Sequence, residues 1–365
     1  MNQDEAFARI RLLRSPNVGP VSYGQLLRRF GDAGAALAAL PDIGSRTGRP
    51  YAAASAERIS AEIAAVKRVG ARYLFHDSPD YPTLLREVAS APPILIGRGD
   101  PAIAGRPAVA MVGARNCSAA AVKLARSFGA ALADAGFAVV SGLARGIDGA
   151  AHRGALTGSG GTVGIIASGI DLAYPPEHAD LQEEVASTGL LLTEQPPGTE
   201  PLARHFPSRN RIIAGLAAGT LVVEAAPKSG SLITARLAGE YGREVMAIPG
   251  SPLDSRSHGC NQLIREEAVL VQSPEDVIEL LSAFDGTPRS TFRETAADWT
   301  FEEDFAPNDQ PADIAALLTT APVGIDELIR QSGESAASVQ LALLELEIAG
   351  QLVRHAGGRV SLAAA

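Results

Sequence analysis

The sequence has few cysteines and no apolar run long enough to cross a membrane. Its 365 residues include two cysteines, Cys117 and Cys260, which lie far apart and lack metal-ligand spacing. We therefore expect reduced thiols and neither a disulfide nor a metal site, with Cys117 either a reactive thiol or a bystander. The first residues, Met1–Ala6, contain acids, whereas a secretory signal begins with basic residues before an apolar stretch. These absences predict a cytoplasmic protein that makes no contact with a membrane.

Aromatic residues are also scarce, at 5%, and the net charge is −9. An acidic chain argues against nucleic acid as a partner, but the acidity is local. Residues 1–70 carry ten Lys or Arg against six Asp or Glu, whereas residues 273–365 carry five against sixteen. The middle of the chain is near neutral and can still concentrate cations on one surface. We do not expect tight nonspecific binding to duplex DNA.

Short apolar runs alternate with helical stretches from Pro107 onward. Continuous apolar strands separated by helices predict an α/β fold, with a mostly parallel sheet and helices on both faces. The carboxyl ends of parallel strands form the ligand edge of such a sheet. The predicted strands are Ala108–Val112, Phe137–Val140, Thr162–Ala167, Leu190–Thr193, Leu221–Val223, Val245–Ile248 and Ala268–Val271.

Two of the segments that leave this edge place cations where a strand is followed by a helix. Arg209 and Arg211 begin an apolar helix, although the positive end of the helix dipole disfavours cations there. Lys228 precedes a Ser-Gly-Ser sequence at the start of another helix, where free N–H groups, hydroxyls and an ammonium converge. This arrangement suits phosphate, although the serines alone also fit an ordinary capped turn.

An ordered series of motifs runs through about residues 70–280. It includes Val112-Gly-Ala-Arg115, Val140-Ser-Gly-Leu-Ala-Arg-Gly-Ile-Asp148, Phe206-Pro-Ser-Arg-Asn-Arg-Ile-Ile-Ala-Gly215, Ser229-Gly-Ser-Leu-Ile-Thr-Ala235 and Ile248-Pro-Gly250. Together these motifs resemble the DNA processing protein A (DprA/Smf) family. Ala114 departs from the family pattern, which often has Ser or Thr at this position, and it removes a possible phosphate-binding hydroxyl.

The resemblance implies an extended Rossmann-like fold and a function without catalysis. Proteins of this family are expected to bind single-stranded DNA, to protect incoming DNA during natural transformation and to load the RecA recombinase onto it. The resemblance also implies a homodimer and no cofactor. The expected partners are therefore single-stranded DNA, RecA and a second copy of the chain.

Phosphate binding is expected along the carboxyl edge of the strands, at helix N-termini, glycine-rich turns and five cations. One of the cations, Arg145, could instead pair with Asp148. Only Tyr174, His205 and Phe206 supply rings near this edge, which favours contact with the DNA backbone and little sequence preference. The predicted phosphate-binding residues are Gly113, Arg115, Ser118, Ser141, Gly142, Arg145, Ser168, Gly169, Arg209, Asn210, Arg211, Lys228, Ser229, Gly230 and Ser231.

Residues 1–70 are predicted to form a small SAM/helix-hairpin-helix-like domain. Phe7–Leu13 and Ser22–Phe30 have helical patterns, and Ser15–Pro20 reads as a tight turn between them. The amides of such a turn can hold one DNA phosphate. A purely structural helical domain fits the same pattern.

The sheet domain is predicted to end at residue 283. Residues 284–310 mix Asp, Glu, Thr and Pro without a sustained period, which predicts a flexible acidic linker before a last domain at 311–365. Trp299, within the linker, either docks on another surface or is exposed.

The last domain is predicted to be a winged helix. Helical stretches at Ile314–Leu318, Ile325–Gln331 and Val339–Ala349 precede two short strands around a Gly-Gly turn. Winged helices often bind DNA through their recognition helix. The corresponding segment here, Glu334–Glu347, has no Lys or Arg, which favours contact with protein.

An enzyme is the alternative hypothesis. Glu224 follows a strand and precedes a helix, similar to the sugar-cleaving site of nucleoside-monophosphate phosphoribohydrolases, where a carboxylate supports an oxocarbenium-like transition state. The run Ala225–Ser231 departs from the Pro-Gly-Gly-x-Gly-Thr pattern of those enzymes, and no second strand-end acid is placed to act with Glu224. His152 and His205 could serve as bases or as structural imidazoles. We therefore predict a binding protein and not an enzyme.

Overall fold

The computed structural model describes residues 1–45, 51–282, 313–355 and 357–363. The linker predicted at 284–310 lies outside the described residues. The described chain divides into two units, one of residues 1–61 with the described residues after 312, and one of residues 62–282. The domain boundaries given by the sequence stay predictions.

The amino-terminal residues form helices whose ends follow from their capping residues. Asn2 caps the first helix by accepting a hydrogen bond from the Glu5 N–H at 2.8 Å. Pro20 opens the second helix, where its missing N–H costs nothing. These caps make both helices longer than the apolar pattern predicts. The helices are α1 (Gln3–Leu13), α2 (Pro20–Phe30), α3 (Ala33–Ser45) and α4 (Ala56–Arg68).

The second unit contains a nine-stranded sheet in the order β1-β2-β6-β5-β4-β3-β7-β8-β9. The strands from β3 to β9 are parallel, which confirms the predicted α/β fold. β2 pairs antiparallel with both β6 and β1, and neither β1 nor β2 was predicted. The strands are β1 (Arg72–Phe75), β2 (Ile94–Gly99), β3 (Ala108–Val112), β4 (Ala138–Ser141), β5 (Thr162–Ile165), β6 (Leu190–Thr193), β7 (Gly219–Val222), β8 (Glu244–Ala247) and β9 (Val269–Leu270).

Helices cover both faces of this sheet because its strands are apolar on both sides. Val109 and Met111 of β3 pack under α6 (Ala119–Asp134), α7 (Ile147–Ala155) and α12 (Pro274–Ser282). Ala110 packs on the opposite side under α9 (His205–Leu216), α10 (Gly230–Glu240) and α11 (His258–Arg265). Glycines let α6 and α7 approach closely, since a Cβ on Gly154 would lie 2.1 Å from the Arg126 carbonyl oxygen. The helices are α5 (Thr83–Arg86), α6 (Ala119–Asp134), α7 (Ile147–Ala155), α8 (Ala179–Thr188), α9 (His205–Leu216), α10 (Gly230–Glu240), α11 (His258–Arg265) and α12 (Pro274–Ser282).

The carboxyl-terminal residues form the predicted winged helix, but its first helix is a short 3-10 turn and its sheet has one strand more than predicted. The first expected helix, at Ile314–Leu318, is a 3-10 turn over Ile314–Leu317, because its four residues end at an extended Leu318 and a Thr-Thr-Ala-Pro sequence. The elements that follow are β10 (Val323–Gly324), α13 (Ile325–Ser332), α14 (Ala336–Ile348), β11 (Leu352–His355) and β12 (Arg359–Leu362), with sheet order β10-β12-β11. Across the described ranges, no helix is long and apolar enough to span a bilayer.

Candidate nucleic-acid interface

The strand order reverses direction between β3 and β7. The chain runs from β3 outward through β4, β5 and β6, then crosses back through α9 to β7 and continues to β8 and β9. The loops after β3 and β7 therefore leave in opposite directions and open a crevice, where open α/β sheets bind ligands. Arg115 follows β3, Arg145 follows β4 and Lys228 follows β7.

The loop between β3 and α6, residues 113–118, is fixed by Glu224. The buried Glu224 carboxylate accepts hydrogen bonds from the Ser118 hydroxyl at 2.7 Å and from the Ser118 N–H at 2.9 Å. The Ala114 N–H donates to the Glu224 carbonyl oxygen at 2.7 Å. Ser118 also caps α6 by accepting from the Ala121 N–H. Ser118 thus has a structural partner, and Gly113 and Arg115 stand on a loop of defined shape.

Arg115 is exposed and lies over an aromatic ring. Its guanidinium carbon is 5.0 Å from the centroid of the Phe206 ring, within the range of a cation–π contact. The Tyr174 ring is 5.8 Å from Phe206, centroid to centroid. Arg115, Arg145, Tyr174, Phe206 and Arg209 line one pocket of about 40 Å³, together with Gly142 and neighbouring apolar residues. A pocket of this volume is too small to enclose a nucleotide, so a nucleotide would lie across its mouth.

The floor of this pocket is a buried ion pair. Arg209, 8% exposed, donates to the Gly142 carbonyl oxygen and to the Asn210 side chain at 3.0 Å, and lies 3.9 Å from the Asp148 carboxylate. The guanidinium fills the place of a Gly142 side chain, since a Cβ there would lie 2.1 Å from it. Burial raises the pKa of Asp148 and lowers that of Arg209, and each charge opposes the shift of the other. Arg209, Asn210 and Gly142 therefore build the pocket from within.

Two more of the predicted cations are held by carboxylates. Arg145 pairs with Glu177, not with Asp148, and this exposed pair lowers the pKa of Glu177 and raises that of Arg145 through their hydrogen bond. Arg211 is mostly buried, and it donates to Glu194 and to the Ser90 carbonyl oxygen. Exposed ion pairs are weak, so Arg145 can change partner more easily than Arg211.

The loops after β4 and β5 contribute backbone shape instead of free hydroxyls. Ser141 is fully buried, and its hydroxyl donates to the Met111 carbonyl oxygen at 2.6 Å. Ser168 is also buried, and its hydroxyl donates to the Leu172 carbonyl oxygen at 2.8 Å. The Gly169 N–H donates to a neighbouring loop, at the Thr199 carbonyl oxygen. Both hydroxyls and this amide are already used inside the fold.

The corner after β7 presents an exposed cation at the start of α10. Lys228 has a φ of 65°, in the left-handed region that side chains rarely adopt. Ser229 is the N-cap of α10, and its hydroxyl lies 2.8 Å from that of the mostly buried Ser231. Gly230, which is exposed, begins the helix. Within the described residues, no ion pair involves Lys228.

His152 is a structural imidazole. It is fully buried, its Nε2 accepts from the Leu143 N–H at 3.3 Å, and its Nδ1 therefore donates to the Thr162 hydroxyl at 2.7 Å. Burial, with the nearby Arg209 charge, lowers its pKa from 6.5 to about 3. A neutral ring with both nitrogens occupied has no free proton site for a substrate.

Cys117 and His205, the other candidate reactive groups, also have structural contacts. Burial and the Glu224 carboxylate raise the pKa of the Cys117 thiol, so the nucleophilic thiolate is disfavoured. His205 accepts from the Leu202 N–H at 3.3 Å, at the start of α9. In the part of the chain that the structure describes, no group of three His, Cys, Asp or Glu could hold a metal ion.

The geometry thus divides the predicted phosphate-binding residues into two groups. Arg115, Lys228 and, through a weak ion pair, Arg145 have their charges at the surface, whereas Arg209 and Arg211 have carboxylate partners and little exposure. The aromatic pair beside Arg115 is absent from the predicted set. Tyr174 and Phe206, which form this pair, could be placed near the edge from the sequence because their segments flank strand ends.

These features define an open, extended Rossmann-like α/β protein with a cationic pocket at the carboxyl ends of β3, β4 and β5. Comparison with known families then assigns the chain. The family model for DNA recombination-mediator protein A matches residues 72–282, and models for a DprA-like N-terminal HHH domain and a DprA winged helix domain match residues 3–65 and 302–358. The chain belongs to the DNA recombination-mediator protein A family, also named DprA/Smf, as the sequence motifs predict.

Individual relatives agree with this assignment. The protein Smf of Synechocystis is 35% identical over 315 residues, which cover 79% of this chain and 79% of the relative. The X-ray structure of DNA processing protein A from Streptococcus pneumoniae has a TM-score of 0.64 at 36% identity, and covers 75% of this chain and 96% of that one. A structure of the Helicobacter pylori protein, described for its single-stranded DNA binding mode, has a TM-score of 0.52 at 28% identity, covering 58% and 96%.

Proposed function

We propose that this protein binds single-stranded DNA along the carboxyl edge of its parallel strands. The main observation behind this proposal is the exposed Arg115 guanidinium over the Phe206 ring, beside Tyr174, in the pocket at the carboxyl ends of β3, β4 and β5. A cation next to aromatic faces suits an unpaired strand, because it offers one contact to phosphate and another to an unstacked base. Membership of a DNA recombination-mediator family and the described binding mode of the Helicobacter pylori relative support the same ligand.

In this mechanism the phosphates meet Arg115 and Lys228, and the positive end of the α10 dipole favours an anion beside Lys228. Arg145 joins when a phosphate competes with Glu177 for its guanidinium. The buried Arg209 and Asp148 keep the pocket floor in shape and Arg211 ties α9 to the loop before β2, so these residues act on the DNA indirectly. The remaining residues of the predicted set shape the loops through their backbone.

We propose binding without chemistry. Both oxygens of Glu224 accept hydrogen bonds from Ser118 and the residue is buried, which gives this carboxylate a structural role in holding the loop before α6. The imidazole of His152 is neutral and enclosed. These contacts favour a DNA-binding mediator over a nucleotide-cleaving enzyme.

The proposed role extends to the fate of the bound strand. We infer that the protein protects incoming DNA during natural transformation, acts as a homodimer and passes the strand to RecA recombinase, as its family membership suggests. Backbone-led contacts leave the base edges of the strand open for pairing, which a recombinase requires.

Titration of an oligothymidylate at three salt concentrations tests the binding site. Arg115→Ala removes a phosphate contact and the cation beside Phe206, so we expect roughly tenfold weaker binding, about 1.4 kcal/mol. The log–log salt slope should flatten by roughly 0.7 for one lost contact on a single strand. Arg153→Ala is the matched control, since Arg153 is exposed at the far end of α7, away from this edge. An unchanged slope with Arg115→Ala, or equal losses in both variants, would contradict the proposal.

A further inference from the structure

The loop between β4 and α7 has a strained residue that two imidazoles hold in place. Leu143, fully buried in this loop, has a φ of 54°, in the left-handed region that a leucine rarely adopts. Its N–H donates to Nε2 of His152 at 3.3 Å, and its carbonyl oxygen accepts from Nδ1 of His178 at 2.9 Å. Both backbone groups of the strained residue therefore have a histidine partner, and these contacts fix the shape of the loop.

His178 links this loop to a second segment of the pocket. It ends the 3-10 turn Pro176–His178, which directly follows Tyr174 and Pro175, two residues that line the pocket. The His178 N–H donates to the Pro175 carbonyl oxygen at 3.0 Å, and two successive prolines restrict the backbone between His178 and Tyr174. The position of His178 therefore determines where the exposed Tyr174 ring lies.

The same two segments are also joined by an ion pair. The loop after β4 supplies Gly142, Ala144 and Arg145 to the pocket, and Arg145 pairs with Glu177, the neighbour of His178. A phosphate that takes Arg145 from Glu177 breaks this exposed pair. The hydrogen bond from His178 to Leu143 is partly buried and carries no such competition, so it can hold the segments together while DNA is bound.

The His178 ring fits closely against α7. A Cβ built on Gly149, in the first turn of this helix, would lie 2.6 Å from Cε1 of the ring. A side chain at position 149 would therefore push the ring away from Leu143. Glycine is less favourable than alanine within a helix, so the close approach of His178 supplies a physical reason for glycine here.

We infer that His178 is a positioning residue of the proposed nucleic-acid site. Its hydrogen bond to Leu143 holds the aromatic side of the pocket, with Tyr174, against the cationic side, with Arg145, so that one nucleotide can reach both. Contacts that are ordered before binding cost less entropy on binding, which raises affinity without another contact to the ligand. The inference rests on the function proposed for the strand edge, and His178 itself does not touch the DNA in it.

Two variants of the full chain break this link in different ways. His178→Leu deletes the donor, and Gly149→Ala displaces the ring while it favours the helix. We expect each to weaken oligothymidylate binding about fivefold, with an unchanged salt slope because every surface cation remains. His178→Asn, whose amide nitrogen can donate in place of Nδ1, should stay within about twofold of the wild type. Thr157→Val is the matched control, since it deletes a 2.7 Å hydrogen bond to a carbonyl oxygen beyond the far end of α7.

A double-mutant cycle tests whether His178 acts through Tyr174. Tyr174→Ala should weaken binding about tenfold by removing a stacking surface, and His178→Leu added to it should cost less than about twofold more. Additive losses in this cycle would overturn the inference, as would wild-type affinity in His178→Leu or an equal loss in His178→Asn. If His178→Leu does not fold, as judged by thermal unfolding, Gly149→Ala takes its place in the cycle.

The same titrations separate this inference from the proposed function. Unchanged affinity in both Tyr174→Ala and Arg115→Ala would show that the strand edge is not the binding site. Weaker binding in these two variants, with wild-type affinity in His178→Leu, would leave the site in place and overturn the positioning role alone.

Discussion

Glu224→Gln distinguishes a structural carboxylate from a catalytic one. Glu224 accepts from both the hydroxyl and the N–H of Ser118, and Ser118 in turn caps α6. A glutamine can accept from the Ser118 N–H through its oxygen, but its amide then donates to the hydroxyl, whose own proton loses its acceptor. One charge-assisted hydrogen bond disappears from a buried site, which costs about 1–2 kcal/mol of unfolding free energy.

For a unit of this size that cost corresponds to a fall in Tm of about 2–8 °C. We also expect weaker oligothymidylate binding, about threefold to fivefold, because the loosened loop carries Arg115. The salt slope should stay unchanged, since no cation is lost. Removal of one negative charge would by itself leave DNA affinity unchanged or raise it slightly. The Ser118 contacts reverse that expectation.

The assay combines thermal unfolding, oligonucleotide titration and chromatography of nucleoside monophosphates after overnight incubation. Glu184→Gln, an exposed change of the same chemistry on α8, is the control and should match the wild type in all three. The wild type should release no free base from any common ribonucleotide or deoxyribonucleotide. Base release that disappears in Glu224→Gln would make the enzyme hypothesis the better one, and an unchanged Tm would refute the structural role.

Two further changes test the site and its support. Lys228→Gly relieves a side chain held on left-handed backbone and should raise the unfolding free energy by up to about 1 kcal/mol, as measured by urea unfolding. It should also flatten the oligonucleotide salt slope by roughly 0.7, as measured by titration, whereas Lys228→Ala should only weaken binding. The pKa of His152 is about 3 in the folded state, below its ordinary 6.5, so between these two values the folded state binds fewer protons than the unfolded state. Stability therefore falls as the pH drops from 6.5 towards 3, at up to about 1.4 kcal/mol per pH unit. His152→Gln should flatten this dependence between about pH 7 and about pH 5 in urea midpoints, although it lowers stability at neutral pH; an unchanged slope would contradict the assignment.

The parallel sheet was predictable because its strands are buried on both faces and therefore form continuous apolar runs. β3 and β6 have the predicted bounds, Ala108–Val112 and Leu190–Thr193, and the other parallel strands differ only at their ends. β1 and β2 could not be predicted in this way, because β2 pairs with β6, which is distant in sequence, and β1 pairs only with β2. The contact between Asn17 and Ile348 is likewise invisible in a local pattern, since it joins residues at opposite ends of the chain.

The cations of the site were predictable as residues but not as free charges. A helix N-terminus disfavours cations, so Arg209 and Arg211 were interpreted as phosphate ligands. In the structure the carboxylates of Asp148 and Glu194 compensate these two charges. Whether a carboxylate from another loop reaches a guanidinium is a matter of tertiary geometry. Glu177, 32 positions beyond Arg145, is the same case.

The balance of these charges bears on what a mediator must do. A protein that hands a strand to a recombinase has to bind it without holding it too firmly. With three surface cations among the predicted residues of the strand edge, each worth roughly 0.7 in the salt slope, one edge makes only a modest electrostatic contribution, and Glu177 competes for Arg145. Two linked copies on one strand would multiply affinity through effective concentration while each edge still releases readily. Weak edges in a proposed homodimer thus reconcile a net acidic chain with DNA as its ligand.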